Sequence, residues 1–164
     1  MNPVSAEIPA SGQMYGKTRV LPICVYYEDT DAGGIVYHAN YLRFAERGRT
    51  EMLRSLGIYQ NDMYAQTGLA FSVYKADVHY VKPAKLDDVL LMETALLELT
   101  GASMRARQII YLEAQAGHRD NLVQIHAQVV CMNKEGHAVR LPASLRFAKP
   151  LHYIFRKTAF KTVR

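Results

Sequence analysis

The 164-residue chain predicts an α+β domain, with a curved antiparallel sheet wrapped around one long central helix. Three features carry that expectation. One segment, ending before Gly57, repeats apolar residues at helical spacing. Four β-patterned runs then follow one another downstream, so that neighbours joined by short turns pair antiparallel. No β-α-β alternation and no glycine-rich phosphate fingerprint is visible, which disfavours a doubly wound nucleotide-binding fold.

Taken in order, residues 1–17 are rich in Pro, Ser, Ala and Gly and read as a flexible extension without the basic start and apolar middle of a secretory signal. Residues 18–27 (TRVLPICVYY) are β-branched and aromatic and read as a strand, in which Pro22 implies an edge position or a bulge. Residues 28–36 form a loop containing Gly33 and Gly34. In the helix that follows, Tyr41, Leu42, Ala45, Met52, Leu53 and Leu56 share a face, and Arg43, Glu46, Arg47, Arg54 and Ser55 lie mostly elsewhere. Gly48 costs that helix about 1 kcal/mol relative to Ala, which suggests close packing against the sheet. Gly57 is a natural stop.

Residues 58–67 form a short helical link, and strands are expected at 69–80, 89–99, 104–113 and 122–133. Thr100-Gly101 and Ala116-Gly117-His118 look like hairpin turns, and Lys82-Pro83-Ala84 breaks the first pair of runs. Pro142 suits the start of a short closing helix over 142–148. The expected organisation is an extension at 1–17, one domain at 18–149 and a basic tail at 150–164.

Composition narrows the function. Hydrophobic residues make up 49% and charged residues 21%, ordinary globular usage. No apolar run reaches the roughly 18 residues of a membrane span. Net charge is +5, but the last fourteen residues, LHYIFRKTAFKTVR, hold four basic residues and no acid, leaving about +1 elsewhere. The basicity thus belongs to a tail and not to a nucleic-acid-binding face. Cys24 and Cys131 lie far apart in strand-like runs and read as buried reduced thiols, which fits the cytoplasm. The six histidines lack the spacing of a zinc site, so neither a metal nor another cofactor is expected.

The stretch YEDTDAGGIVYHANYLRF, residues 27–44, places Glu28, Asp29 and Asp31 just ahead of the helix. Local physics allows two readings of Asp31: an acid favoured by the helix N-terminus, worth about 0.3–1 kcal/mol, or a carboxylate that does chemistry there. The stretch resembles the signature of hotdog-fold acyl-CoA thioesterases of the hydroxybenzoyl-CoA thioesterase type, most of all the Tol-Pal-associated branch. VHYVKPAKLDDVL, residues 78–90, is similar to that family's Y-x-x-P-A-x-x-D-D segment. The similarity covers roughly residues 18–149.

The resemblance implies the hotdog fold and cleavage of a thioester between an acyl group and coenzyme A or a carrier-protein pantetheine. It makes Asp31 the catalytic carboxylate, with His38 as its partner seven residues on. It sets Gly33, Gly34, Tyr37 and Asn40 along the substrate. Asp31 could attack the carbonyl directly or activate a water. The unpaired first amides of the helix, that of His38 in particular, could polarise the thioester oxygen. Glu28 and Asp29 read as supporting or solvated acids. Glu46 and Glu51, candidates for the helix glutamate of some relatives, read as exposed charges. Lys82 and Lys85 could meet CoA phosphates but suit a solvated edge better.

Such folds hide their sheet edge by pairing subunits, so a homodimer or homotetramer is expected, with the active site between subunits. In the tail, Leu151, Ile154, Phe155 and Ala159 oppose Lys157, Lys161 and Arg164, which would suit contact with the inner membrane or a lipid-synthesis partner. The rival function is a non-catalytic hotdog that binds acyl-CoA or acyl-carrier protein without needing Asp31.

Overall fold

The computed structural model describes residues 9–113 and 117–141. In order, the elements are β1 (Gln13–Tyr15), β2 (Thr18–Cys24), a 3-10 turn (Tyr27–Asp29), α1 (Asn40–Ser55), α2 (Gln60–Thr67), β3 (Ala70–Tyr80), β4 (Val89–Leu99), β5 (Ser103–Glu113) and β6 (Arg119–Met132). The six strands form one sheet in the order β1-β2-β4-β5-β6-β3, every neighbour antiparallel. The expected closing helix at 142–148 and the basic tail lie outside the described residues.

Most elements form where the sequence pattern puts them. Two differences concern the edges. Part of the segment read as an extension, Gln13–Tyr15, is strand β1, paired with β2 across a turn at Gly16. Pro22 stands opposite Leu91 of β4 but beyond the end of β1, so β2 is an edge on that side and tolerates the missing N–H. The second difference is that β3 does not pair with β4. It pairs with β6, and residues 81–88 cross back over the sheet to reach β4. The Val81 and Lys82 amides donate to the Leu122 carbonyl on the way.

Helix α1 buries Asn40, Tyr41, Phe44, Ala45, Gly48, Met52 and Leu53, a stripe of helical period that faces β2, β4 and β5. Leu42, expected on that stripe, is 40% exposed, because it lies one residue past the line through Tyr41, Ala45 and Gly48. Phe44 is fully buried and fills the core with Leu90, Met92, Ile110, Val123 and Ile125. Gly57, with φ +76, stops the helix: its N–H donates to the Arg54 carbonyl and that of Ile58 to Leu53.

Gly48 marks the closest approach of helix and sheet. A Cβ there would lie 2.7 Å from Thr94 Oγ1 and 2.9 Å from both Gln108 Nε2 and Met92 Cγ. Thr94 and Gln108 are fully buried polar residues in the middle of an apolar layer. Burying an unpaired amide or hydroxyl costs about 1–3 kcal/mol, so every group here finds a partner. Gln108 Nε2 donates to the Ala45 carbonyl at 2.8 Å and to Thr94 Oγ1 at 3.0 Å, and its Oε1 accepts Arg49 Nη1 at 2.8 Å.

The two cysteines are free thiols, and only one matches the expected burial. Cys131 is buried in β6, where desolvation pushes its thiol pKa up. Cys24 is exposed, because it ends β2 on the face away from the core.

Candidate functional site

Asp31 lies in a tight turn between the 3-10 turn and α1. Its Oδ1 accepts the Gly33 N–H at 2.7 Å. Its own N–H donates to the Ile35 carbonyl at 2.9 Å, and its carbonyl accepts the Gly34 N–H at 3.0 Å. Gly34 has φ +73, a left-handed conformation that glycine adopts without strain. A bridge between Thr30 and Val36 closes the loop. The side chain of Asp31 is exposed, with one carboxylate oxygen steadied by Gly33.

Asp29 is the hub beneath this turn and is 6% exposed. Its Oδ2 accepts the Tyr26 N–H at 2.9 Å. Its carbonyl accepts both the Tyr37 N–H at 2.9 Å and Asn40 Nδ2 at 3.0 Å. Asn40, the first residue of α1, thereby ties the helix start to the backbone two residues before Asp31. Glu28 points outward.

Helix α1 begins without a side-chain cap, at Ala39. The Asn40 N–H donates to the Tyr37 carbonyl at 2.9 Å, and Tyr80 Oη donates to the His38 carbonyl at 3.1 Å. Among the described residues, neither the His38 nor the Ala39 N–H has an acceptor. The His38 ring lies 4.4 Å from that of Tyr37 and meets Tyr80 edge-on at 6.4 Å. Tyr37, His38 and Tyr80 are all exposed.

The second sequence motif abuts the first. The buried Ala84 donates its N–H to the Tyr41 hydroxyl at 2.9 Å, and its carbonyl accepts the Val36 N–H at 2.9 Å. Ile35 and Lys85 form a bridge alongside. Burial raises the Tyr41 phenol above its usual pKa, opposed by the Ala84 N–H. Asp88 accepts the Lys85 N–H at 2.7 Å and so shapes the turn into β4.

The other candidates stand apart. Lys82 pairs with Asp120 at 2.5 Å, and Lys85 is exposed. Glu46 is exposed and accepts the Thr50 hydroxyl at 2.6 Å, while Glu51 pairs with Arg54 at 2.5 Å. Glu46 and Arg49 edge a cavity of about 80 Å³ between α1, α2 and the sheet, floored by Phe71, Leu96, Met104 and Val129. Among the described residues no group of three or more His, Cys, Asp or Glu could hold a metal ion, and no helix is long and apolar enough to cross a membrane.

The structure thus brings Asp31, Gly33, Gly34, Tyr37, His38 and Asn40 together at one end of α1. Tyr80 and Ala84 join this centre although the sequence does not single them out. Their signal is the Y-x-x-P-A segment, in which they are the tyrosine and the alanine.

Residues 25–148 match the thioesterase-like superfamily. Over 87 residues, 53% of this chain, the sequence is 51% identical to the acyl-CoA thioesterase YbgC of Haemophilus influenzae. Over 83 residues, 51% of the chain, it is 51% identical to the acyl-CoA thioester hydrolase YbgC of Escherichia coli. These matches span 64% and 61% of those relatives' own length. A solved structure described as a probable thioesterase of Bartonella henselae superposes with a TM-score of 0.68 at 33% identity, over 76% of this chain and 99% of that one. The 4-hydroxybenzoyl CoA thioesterase of Pseudomonas sp. strain CBS-3 shares the fold, with a TM-score of 0.71 at 20% identity over 78% and 96%.

Proposed function

Since the chain belongs to the thioesterase-like superfamily and has its hotdog fold, we propose that it hydrolyses acyl-CoA thioesters to free acid and CoA. The observation that carries this reading is the lashing of the Asp31 turn to the start of α1. Asp29 accepts from both Tyr37 and Asn40, so a carboxylate and two amides without acceptors are held on one rigid piece of backbone. In the proposed reaction the thioester carbonyl lies between them. Asp31 either attacks the carbonyl carbon, giving an acyl-aspartyl anhydride that a water then hydrolyses to the free acid, or takes a proton from a water that attacks the carbonyl itself. In both cases negative charge grows on the carbonyl oxygen. The His38 N–H, at the positive end of the helix, stabilises that charge; a donor of this kind is worth about 3–4 kcal/mol of barrier. The CoA thiolate leaves and is protonated from solvent. The His38 imidazole, packed between Tyr37 and Tyr80, orients the substrate or shuttles that proton.

The same reading makes the working unit a homodimer. Strand β3 is eleven residues long and lies at the end of the sheet order, with Val73 47% and Tyr74 73% exposed. A strand of that length left unpaired is a liability that a second copy would remove. The free Cys24 and Cys131 thiols support a reducing, cytoplasmic setting.

One observation favours the rival reading of an acyl-CoA-binding module without activity. Asp31 already has a local role, accepting the Gly33 N–H as any turn aspartate does. Release of free thiol from short, long and aromatic acyl-CoAs decides between them. The enzymatic reading expects turnover that Asp31→Ala abolishes while acyl-CoA binding survives. Equal, background release by wild type and variant, with binding intact, supports the module.

A further inference from the structure

The roles given to Asp31 and the His38 amide leave Tyr80 unexplained. It is the last residue of β3 and the tyrosine of the second motif, yet its hydroxyl reaches across to the backbone of the helix start. The two peptide units at that start are matched. The first joins Tyr37 to His38: its carbonyl accepts the Asn40 N–H at 2.9 Å. The second joins His38 to Ala39: its carbonyl accepts the Tyr80 hydroxyl at 3.1 Å. Both peptides are trans, so each N–H points away from its own carbonyl. Hydrogen bonds accepted at the two carbonyls fix both planes and polarise both N–H groups. Among the described residues the His38 and Ala39 amides are left without acceptors, side by side ahead of α1.

We propose that the Ala39 N–H is a second donor to the thioester oxygen, and that Tyr80 is the positioning residue that aims it. The inference rests on the thioesterase reading above and deepens it. Helix geometry orients the first donor through Asn40. The second lies at the N-cap Ala39, where among the described residues no backbone N–H donates to the His38 carbonyl. A hydroxyl from a neighbouring strand holds it instead. The Tyr80 ring is itself fixed in place. It packs at 5.9 Å against Tyr41, which Ala84 anchors in the core, and at 6.4 Å against His38.

The test compares wild type with Tyr80→Phe, which removes only the hydroxyl, and with Ala39→Pro, which removes the N–H. Ala39 has φ −70, the value proline imposes, but it is the third residue of the Tyr37–Asn40 turn, where proline strains the residue before it. The Ala39→Pro result therefore counts only with Tm near that of wild type, and Tyr80→Phe otherwise decides. Tyr80→Phe is expected to lower kcat about tenfold with KM within about twofold, the scale of a small misplacement in a site. Ala39→Pro is expected to lower kcat about a hundredfold, the loss of one donor. Binding of two uncleavable acyl-CoA analogues gives a readout that a merely structural role would not move. One is a ketone with CH2 in place of sulfur, the other a thioether without the carbonyl. Tyr80→Phe should weaken the ketone and leave the thioether unchanged. Wild-type kcat in either variant, or equal weakening of both analogues, overturns the inference. An active wild type with an equally active Tyr80→Phe sinks this inference alone, whereas an inactive wild type sinks the thioesterase reading with it.

Discussion

The Tyr41 hydroxyl accepts the Ala84 amide N–H at 2.9 Å inside the core, and by that bond the first turn of α1 carries the segment that crosses from β3 to β4. The loop of Asp31 leans on the same alanine through Val36. Tyr41→Phe would leave a buried N–H unpaired and is expected to cost about 1–3 kcal/mol in urea unfolding at neutral pH. The pH dependence has a definite sign. Burial raises the folded-state pKa of the phenol above 10.0, so the folded chain prefers the neutral form. Its contribution is complete below the unfolded value and is lost as pH rises through the folded one. The variant should therefore show a shallower loss of stability above pH 10.0 than wild type.

Asn40 holds the Asp31 turn by donating to the Asp29 carbonyl. Asn40→Asp separates this role from helix electrostatics. A carboxylate at that position would favour the helix N-terminus by about 0.3–1 kcal/mol, but it cannot donate. Asn40→Asp and Asn40→Ala are expected to lower kcat/KM alike, by about tenfold, as the turn loosens. Asn40→Asp with full activity would show that the donated bond does not hold the turn.

Gly48→Ala should destabilise the fold even though alanine favours a helix by about 1 kcal/mol. Its Cβ would press on Thr94 Oγ1 and Gln108 Nε2, both held in a hydrogen-bonded network, and overpacking of this kind costs about 1–3 kcal/mol. Thermal unfolding reads the net loss, and a raised Tm would contradict the packing described.

Gln108→Leu keeps the approximate volume and removes both ends of the carboxamide. The Thr94 hydroxyl and the Arg49 guanidinium then lose their shared partner, and the cost is expected to reach at least about 2 kcal/mol. Arg49, whose guanidinium pKa burial lowers, is then a half-buried cation with one hydrogen bond fewer. Unfolding of this variant should show a lower denaturant midpoint with an unchanged slope.

Much of this fold is legible in the sequence because the patterns are long. The eleven-residue runs at β3, β4 and β5, and the stripe through Tyr41, Ala45, Met52 and Leu53, persist over enough residues to be read. Gly48 signals its close packing because glycine inside a helix needs a reason. What stays hidden depends on partners distant in sequence. β1 has three residues between two left-handed glycines, Gly12 and Gly16, too few for any period. The pairing of β3 with β6 joins residues far apart in the chain, the nearest pair being Tyr80 and Val123. Gln108 and Thr94 look like ordinary strand polars until the helix is laid over them. In the candidate site, the grouping of Asp31, His38 and Asn40 follows from their closeness in the chain. Tyr80 and Ala84 reach it only through the crossing segment.

The central claim is that the Asp31 carboxylate, fixed beside the tip of α1, breaks a thioester. Asp31→Asn tests it most directly, because asparagine can still accept the Gly33 N–H and so preserves the turn while removing the charge. On the best acyl-CoA substrate, kcat should fall about a thousandfold or more with Tm held near that of wild type. Turnover by a folded Asp31→Asn within a few-fold of wild type would contradict the account.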